Sequence, residues 1–393
     1  MAYQSSLKRA LITGGIYTLL LSMLFILIAS TYSTASAIFL ALPFFVILYF
    51  IFFTLGRPQV SGWLRERMQG DIRYIMLFPL LLIVLYYGYI ILNGDNPFMG
   101  TVFLVPYLLF FPVLVFAVKN SKSPQINWVD FLTFVLFFFP VTLVKINIDA
   151  DLPYKSGTFD SVYRIAVMLT AIFAFVTVRN LEDAGCYPVF RWKYLFTTLW
   201  VWIAFYLFVF AIGYGVDFIR LSADRQLNYP YIEKTGIRFI AIFLHTALFE
   251  ELVFRGLLQN MLGKRIGQAA SWKAGWRWGL IILIPVALLA GYTLKGGMHW
   301  FPALITILLF GVAYGLEKKP VGRMGDYTAL AITSVIFGLV HYHSGSIIFT
   351  GLACIGGWAY GYVYLKTKNV FYCALLHALV NTSPLIFGLE LAK

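Results

Sequence analysis

Six polar residues in the part of the chain after residue 236 have the types and spacing needed for hydrolysis. They are Glu250, Glu251, Arg255, His341, His377 and Asn381. A carboxylate and a neutral imidazole can together take a proton from water. A second imidazole and an amide can donate hydrogen bonds to the oxyanion that forms when this water attacks a carbonyl. Glu250 with His341 fits the first task, and His377 with Asn381 fits the second.

The same residue types allow a metal-dependent reaction as a second possibility. Two histidines and one carboxylate, with a fourth position open, form a catalytic zinc site. Glu250, His341 and His377 would be the ligands of zinc or another divalent metal. The chain has no HExxH motif, so the sequence leaves metal-free and metal-dependent hydrolysis open. It also has no GxSxG motif, which is typical of one large class of serine hydrolases.

The two adjacent glutamates are expected to differ in role. Glu251 and Arg255 are four residues apart, so on a helix they share a face, in the order that favours an ion pair. Glu250 points about 100° away from Glu251. An ion pair that holds helices together would explain Glu251 and Arg255 without any chemistry. It would not explain Glu250, which is left to face a cavity.

The elements that position these residues are predicted to be membrane-spanning helices. The chain is 61% hydrophobic and 12% charged, whereas a soluble domain is about half apolar and a quarter charged. Continuous apolar runs, rather than alternating segments of about ten residues, favour helices over an outer-membrane barrel. We therefore predict an all-α, polytopic bundle of about thirteen spans. The spans are 10–31, 35–55, 74–92, 101–118, 131–147, 161–178, 194–216, 237–262, 278–294, 300–316, 328–342, 346–365 and 370–388.

Basic residues orient this bundle. With the N-terminus inside, 20 of the 30 Lys and Arg residues fall on inside segments, 7 on outside segments and 3 within spans. This bias predicts a cytoplasmic N-terminus, and the plasma (inner) membrane if the source is prokaryotic. Because the basic residues are scattered over short loops, the net charge of +13 does not indicate a nucleic-acid partner. The expected partners are the lipid bilayer and a membrane protein or peptide substrate.

Helix rise allows the candidate residues to meet inside the membrane. Counted from the inside ends of their spans, Glu250 and His341 lie about 18 and 20 Å deep, and His377 about 10 Å deep. Tilted or short helices would bring the three side chains to one level. His343 lies near the outer turn and is a candidate accessory residue.

Three motifs in these spans resemble those of a known family. "EELVFR" at 250–255 matches EExxxR, "FGLVH" at 337–341 matches FxxxH, and "HALVN" at 377–381 matches HxxxN. In this order they resemble the CPBP family, the CAAX proteases and bacteriocin-processing enzymes, also called ABI, to which the type II CAAX prenyl proteases belong. Gly357 and Gly361 add a GxxxG pair suited to close helix packing.

The resemblance implies that the chain hydrolyses a peptide bond within the membrane. Glu250 and His341 would activate water, His377 and Asn381 would line the oxyanion site, and Glu251 with Arg255 would support them. The substrate would be a membrane-associated protein or peptide, with a lipidated, CAAX-like segment as one class.

The resemblance also divides the chain into domains. A polar loop at 217–236 separates an N-terminal module of about seven helices, 1–230, from a protease-like core, 237–388. In that core 85 residues separate Arg255 from His341, so a two-helix insertion is expected at about 264–327.

Two other functions use the same residues differently. A non-catalytic family member would act as a membrane scaffold or bacteriocin-immunity protein, and its phenotype would survive loss of Glu250. A proton-coupled transporter would use intramembrane Glu and His as a relay, and would show flux that depends on a pH gradient.

Overall fold

The computed structural model describes residues 2–94, 99–120, 125–143, 152, 161–221, 228–294, 297–319 and 322–391. The chain forms two compact units, Met1–Pro188 and Val189–Lys393. The sequence placed a module boundary later, in the loop at 217–236. The difference arises because the helix at Trp192–Gly215 packs against two helices near the C-terminus.

The N-terminal unit is a bundle of seven α-helices. They are α1 (Ala2–Ala29), α2 (Ala35–Leu55), α3 (Pro58–Met68), α4 (Ile72–Leu92), α5 (Met99–Val115), α6 (Trp128–Leu143) and α7 (Val162–Ile172). Two of them, α5 and α7, continue as π-helical turns at Phe116–Asn120 and Phe173–Val178. All residues of α7 except Tyr163 and Arg164 are buried, and α7 packs against α2, α4 and α5. It is therefore the core helix of this unit.

The C-terminal unit contains the other nine α-helices and both strands of the described chain. They are α8 (Trp192–Gly215), β1 (Ile219–Leu221), α9 (Tyr229–Ala241), α10 (Leu248–Glu251), α11 (Asn260–Gly267), α12 (Lys273–Thr293), α13 (Phe301–Glu317), α14 (Asp326–Val340), α15 (Ile347–Thr367), α16 (Val370–Phe387) and β2 (Leu389–Leu391). π-Helical segments at Ile242–Ala247 and Leu252–Gln259 join α9, α10 and α11 into one continuous helix, called the site helix below.

The prediction of an all-α, multi-pass membrane protein is confirmed. Seven described helices are long and apolar enough to cross a membrane, and four shorter helices are also apolar. Each predicted span falls on a described helix, although residues 144–147 of the span 131–147 lie outside the described residues. The number of crossings and the position of the N-terminus stay predictions. The sequence missed α3, because its basic and polar residues break the apolar pattern.

Small residues allow α14 and α15 to pack closely. A Cβ atom added to Gly357 would lie 2.9 Å from the Cα and carbonyl oxygen of Ser334. Real Cβ atoms do not approach backbone atoms this closely, so a larger residue would force α14 and α15 apart. Gly361, four residues later, faces Leu330 and Gln259 with as little room. The close packing predicted from the GxxxG pair is present.

Polar caps fix where the site-bearing helices begin. The buried carboxylate of Glu317 accepts hydrogen bonds from the backbone N–H groups of Gly325 and Thr328. It thereby satisfies donors at the start of α14 that have no partner within the helix. Asn369 caps α16 by accepting from the N–H of Phe371. These caps set the register of the residues that follow along α14 and α16.

A short antiparallel ribbon joins the segments that follow α8 and α16. Ile219 pairs with Leu391, and Arg220 pairs with Glu390. The ribbon holds the ends of these two helices side by side at one end of the unit.

Candidate active site

The site helix carries a buried ion pair. The Oε2 atom of Glu251 lies 3.1 Å from Nε of Arg255, and both side chains are almost completely buried. The Nη2 group of Arg255 donates a hydrogen bond of 3.0 Å to the carbonyl oxygen of Gly357. Its guanidinium also lies 4.5 Å from the ring centroid of Phe337. A buried charge is tolerated when it is paired and hydrogen-bonded, and the pair predicted from the four-residue spacing is present.

His377 is held by Glu251 rather than by Glu250. Its Nδ1 atom donates a hydrogen bond of 2.9 Å to Oε1 of Glu251. Its ring stacks on Tyr360, with the ring centroids 4.7 Å apart. When Nδ1 carries the hydrogen, Nε2 of the neutral ring can only accept a hydrogen bond. His377 can therefore donate to an oxyanion only when both of its ring nitrogens carry a hydrogen.

His341 and Glu250 lie at the less buried side of this network. His341 follows the last residue of α14, and its Nδ1 donates a hydrogen bond of 2.8 Å to the carbonyl oxygen of Phe337. This bond leaves Nε2 as an acceptor. Oε2 of Glu250 is buried and has no hydrogen-bond partner among the described residues. His341 interacts electrostatically with both Glu250 and His377. The two groups are therefore near enough to interact electrostatically.

The remaining candidates lie further out. Asn381 is exposed on α16, one turn beyond His377. His343 is exposed in the 3₁₀ turn between α14 and α15, where its Nδ1 donates to the carbonyl oxygen of Val340. His343 also interacts electrostatically with His341. The structure therefore links Glu251, Arg255 and His377 by direct contact, and brings Glu250 and His341 to their edge.

A family model described as Type II CAAX prenyl endopeptidase Rce1-like matches residues 233–319 and 315–383. The matched region of the C-terminal unit supports an assignment to the CAAX protease family. All six candidate residues lie inside the matched region, so the resemblance drawn from the three motifs is confirmed. No significant match was found among curated proteins or among solved structures. The chain is thus a multi-pass membrane protein whose residues 233–383 match a model of CAAX-type proteases.

The described residues of the C-terminal unit do not form a metal site with three protein ligands. Among the described residues, no group of three or more His, Cys, Asp or Glu side chains could hold an ion. Glu250, His341 and His377, the ligands predicted for a metal-dependent reaction, therefore do not fit a zinc site with three protein ligands. The Nδ1 atom of His377 is already engaged by Glu251. We derive no step through a metal.

Gln259 and Tyr360 belong to the same network and were missed by the sequence reasoning. The Nε2 group of Gln259 donates a hydrogen bond of 3.1 Å to the carbonyl oxygen of Gly361. Gln259 follows Arg255 by four residues, and Gly361 follows Gly357 by four. The two hydrogen bonds therefore join the same two helices, one helical turn apart. This matched spacing was the signal that could have found Gln259, whereas nothing in the sequence indicated that Tyr360 stacks on His377.

Proposed function

We propose that the chain is an intramembrane endopeptidase that hydrolyses a peptide bond in a membrane-associated protein. A lipidated, CAAX-like segment is one class of substrate. The observation that carries the proposal is the buried Glu250 oxygen without a hydrogen-bond partner among the described residues, on a carboxylate that interacts electrostatically with His341. A water molecule between two acceptors donates one hydrogen to each, which suits it for deprotonation.

The proposed reaction begins when Glu250 takes a proton from this water, while His341 holds the other hydrogen. The water oxygen bonds to the carbonyl carbon of the peptide, and the carbonyl oxygen becomes an oxyanion. The imidazolium of His377 and the amide of Asn381 donate hydrogen bonds to that oxyanion. The C–N bond then breaks, and the leaving amine takes the proton from Glu250. Glu251 and Arg255 act as positioning residues, because they orient and charge-balance His377.

The test is Glu250→Gln, which keeps the size of the side chain and removes the base. We expect cleavage of a co-expressed membrane substrate to fall about 10²- to 10⁴-fold, the range typical of general acid–base catalysis. Thermal unfolding of the purified variant in detergent should match that of the original chain, because Oε2 makes no hydrogen bond that the variant loses.

Glu66→Gln is the matched control, since Glu66 is exposed in the N-terminal unit and should be neutral in both measurements. Full activity of Glu250→Gln would rule out the proposed mechanism. The same variant distinguishes an endopeptidase from a scaffold or immunity protein, because the phenotype of a scaffold or immunity protein would survive Glu250→Gln.

A further inference from the structure

The candidate site is closed at one end of its helices. On the side toward the start of α14 and the end of α15, the neighbouring side chains are almost fully buried. Gln259 is 2% exposed, and Leu330, Val363 and Ala374 are 0% exposed. On this side, hydrogen bonds from Arg255 to Gly357 and from Gln259 to Gly361 join the site helix to α15. Packing this tight leaves no path for water or a peptide from that end.

The opposite end is open. Exposure rises from Glu251 and Arg255, which are 0% exposed, to the partly exposed Glu250 and His341. Beyond His341, Tyr342 is 40% exposed. Asn381 on α16 is exposed on the same side of His377. Water and substrate therefore reach the catalytic groups from the end where α14 finishes and α15 begins.

These two ends carry different charge. Within the C-terminal unit, eleven basic residues fall on the segments at the closed end: Arg191, Lys193, Lys264, Arg265, Lys273, Arg277, Lys318, Lys319, Arg323, Lys366 and Lys368. Among the described residues, only three fall on the segments at the open end: Arg220, Lys234 and Arg238. Lys and Arg in short loops mark the cytoplasmic side of a membrane protein. The closed end is therefore the cytoplasmic end.

We infer that the active site opens to the non-cytoplasmic face of the membrane, and that its substrate is a peptide segment exposed on that face. The substrate part of this inference rests on the proposed endopeptidase function. The direction of opening does not. A translocated or secreted segment at the membrane boundary has the required location. A lipidated, CAAX-like segment meets this requirement only if it lies on that face.

Cysteine labelling tests the direction of opening without any need for activity. The native cysteines, Cys186, Cys354 and Cys373, are all buried, so background labelling is low. Ser344→Cys places a thiol in the exposed turn at the open end, and Lys319→Cys places one at the closed end. Right-side-out sealed vesicles are treated with a membrane-impermeant maleimide before and after permeabilisation. We expect Ser344→Cys to be labelled before permeabilisation and Lys319→Cys to be labelled several times more strongly after it. The reverse pattern would overturn the inference.

A pair of reporters tests the substrate. Each has one membrane span and the same cleavable segment, placed at the non-cytoplasmic boundary in one reporter and at the cytoplasmic boundary in the other. We expect Glu250-dependent cleavage of the first reporter alone. Cleavage of the second alone would overturn the inferred substrate class and leave the endopeptidase function standing. Outer labelling of Ser344→Cys with neither reporter cut would contradict the endopeptidase function and leave the direction of opening standing.

Discussion

Each compact unit buries one arginine against one carboxylate, but the two pairs are completed differently. In the N-terminal unit, Nε of Arg179 lies 2.6 Å from Oδ1 of Asp130. Oδ2 of Asp130 accepts from Nη2 of Arg179 and from the N–H of Asn127. Arg179 also donates to the carbonyl oxygen of Gln125. Both oxygens of this carboxylate are therefore engaged with groups that do nothing but hold the fold.

In the C-terminal unit the corresponding carboxylate is shared with an imidazole. Glu251 contacts Arg255 through one oxygen and His377 through the other. The neighbouring Glu250 has a buried oxygen with no hydrogen-bond partner among the described residues. A buried acceptor without a partner costs free energy. The proposed role of Glu250 in activating water would account for that cost. Under the proposed function, the pair in the N-terminal unit is structural and the pair in the C-terminal unit supports the reaction.

Glu251→Gln is expected to have the largest effect, because Glu251 serves both the fold and the site. Removing one member of a buried ion pair costs about 3–5 kcal/mol, since the other charge is left uncompensated. His377 also loses the carboxylate that accepts from its Nδ1 atom, so peptide cleavage should fall together with stability. Chemical unfolding in detergent and cleavage of the membrane substrate, measured on the same preparation, check both. A stable but inactive variant would show that Glu251 contributes to the chemistry and not to the fold.

Asp130→Asn is the matched change in the N-terminal unit. It should lower the free energy of unfolding by a similar 3–5 kcal/mol, because Arg179 is equally buried. Cleavage per folded molecule should stay unchanged, since none of the six candidate residues lies in that unit. The measurement is the cleavage rate of the variant and of the original chain, each divided by its folded fraction. A specific loss of activity in the folded fraction would break the distinction between the two pairs.

Much of this contrast could be predicted from the sequence, but only along single helices. Apolar runs located the helices, and the four-residue spacing identified the Glu251–Arg255 pair. Spacing could not say which of two adjacent glutamates contacts His377, since that depends on how α16 packs across the site helix. The sequence also did not indicate the π-helical segments beside Glu250. The Arg179–Asp130 pair was missed because its members are far apart in the chain.

Gly357→Ala should have a smaller effect. It tests whether the hydrogen bonds from the site helix to α15 need close packing of α14 and α15. The added Cβ would meet the backbone of Ser334, so α14 and α15 must move apart. Overpacking of this kind typically costs about 1–3 kcal/mol. Because Gly357 also accepts from Arg255, cleavage should fall moderately. Gly315→Ala is the control, as a Cβ there has open space around it. Equal stability of the two variants would contradict the importance of this packing.

Asp71→Asn should have the smallest effect, because this carboxylate is partly exposed, whereas Asp130 in the same unit is fully buried. Hydrogen bonds from the Arg73 side chain and backbone N–H lower the pKa of Asp71 below its ordinary value. Its contribution to stability is thus present above the unfolded pKa and is lost as pH falls through the folded pKa. At neutral pH the variant should unfold at a slightly lower temperature, and the difference should vanish in acid. A difference as large as that of Asp130→Asn would show that burial is not what separates the two carboxylates.

The π-helical segments give the site helix a tolerance to changes in length. In an α-helix, deletion of one residue turns everything beyond it by about 100°. A π-helical turn holds one residue more than an α-helical turn needs, so a deletion there can be absorbed by a return to α-helical hydrogen bonding. Loss of one residue behind Arg255, within Leu252–Gln259, would therefore leave α11 facing as it does now. Loss of one residue between Glu251 and Arg255 would, by contrast, shorten the four-residue spacing that pairs them.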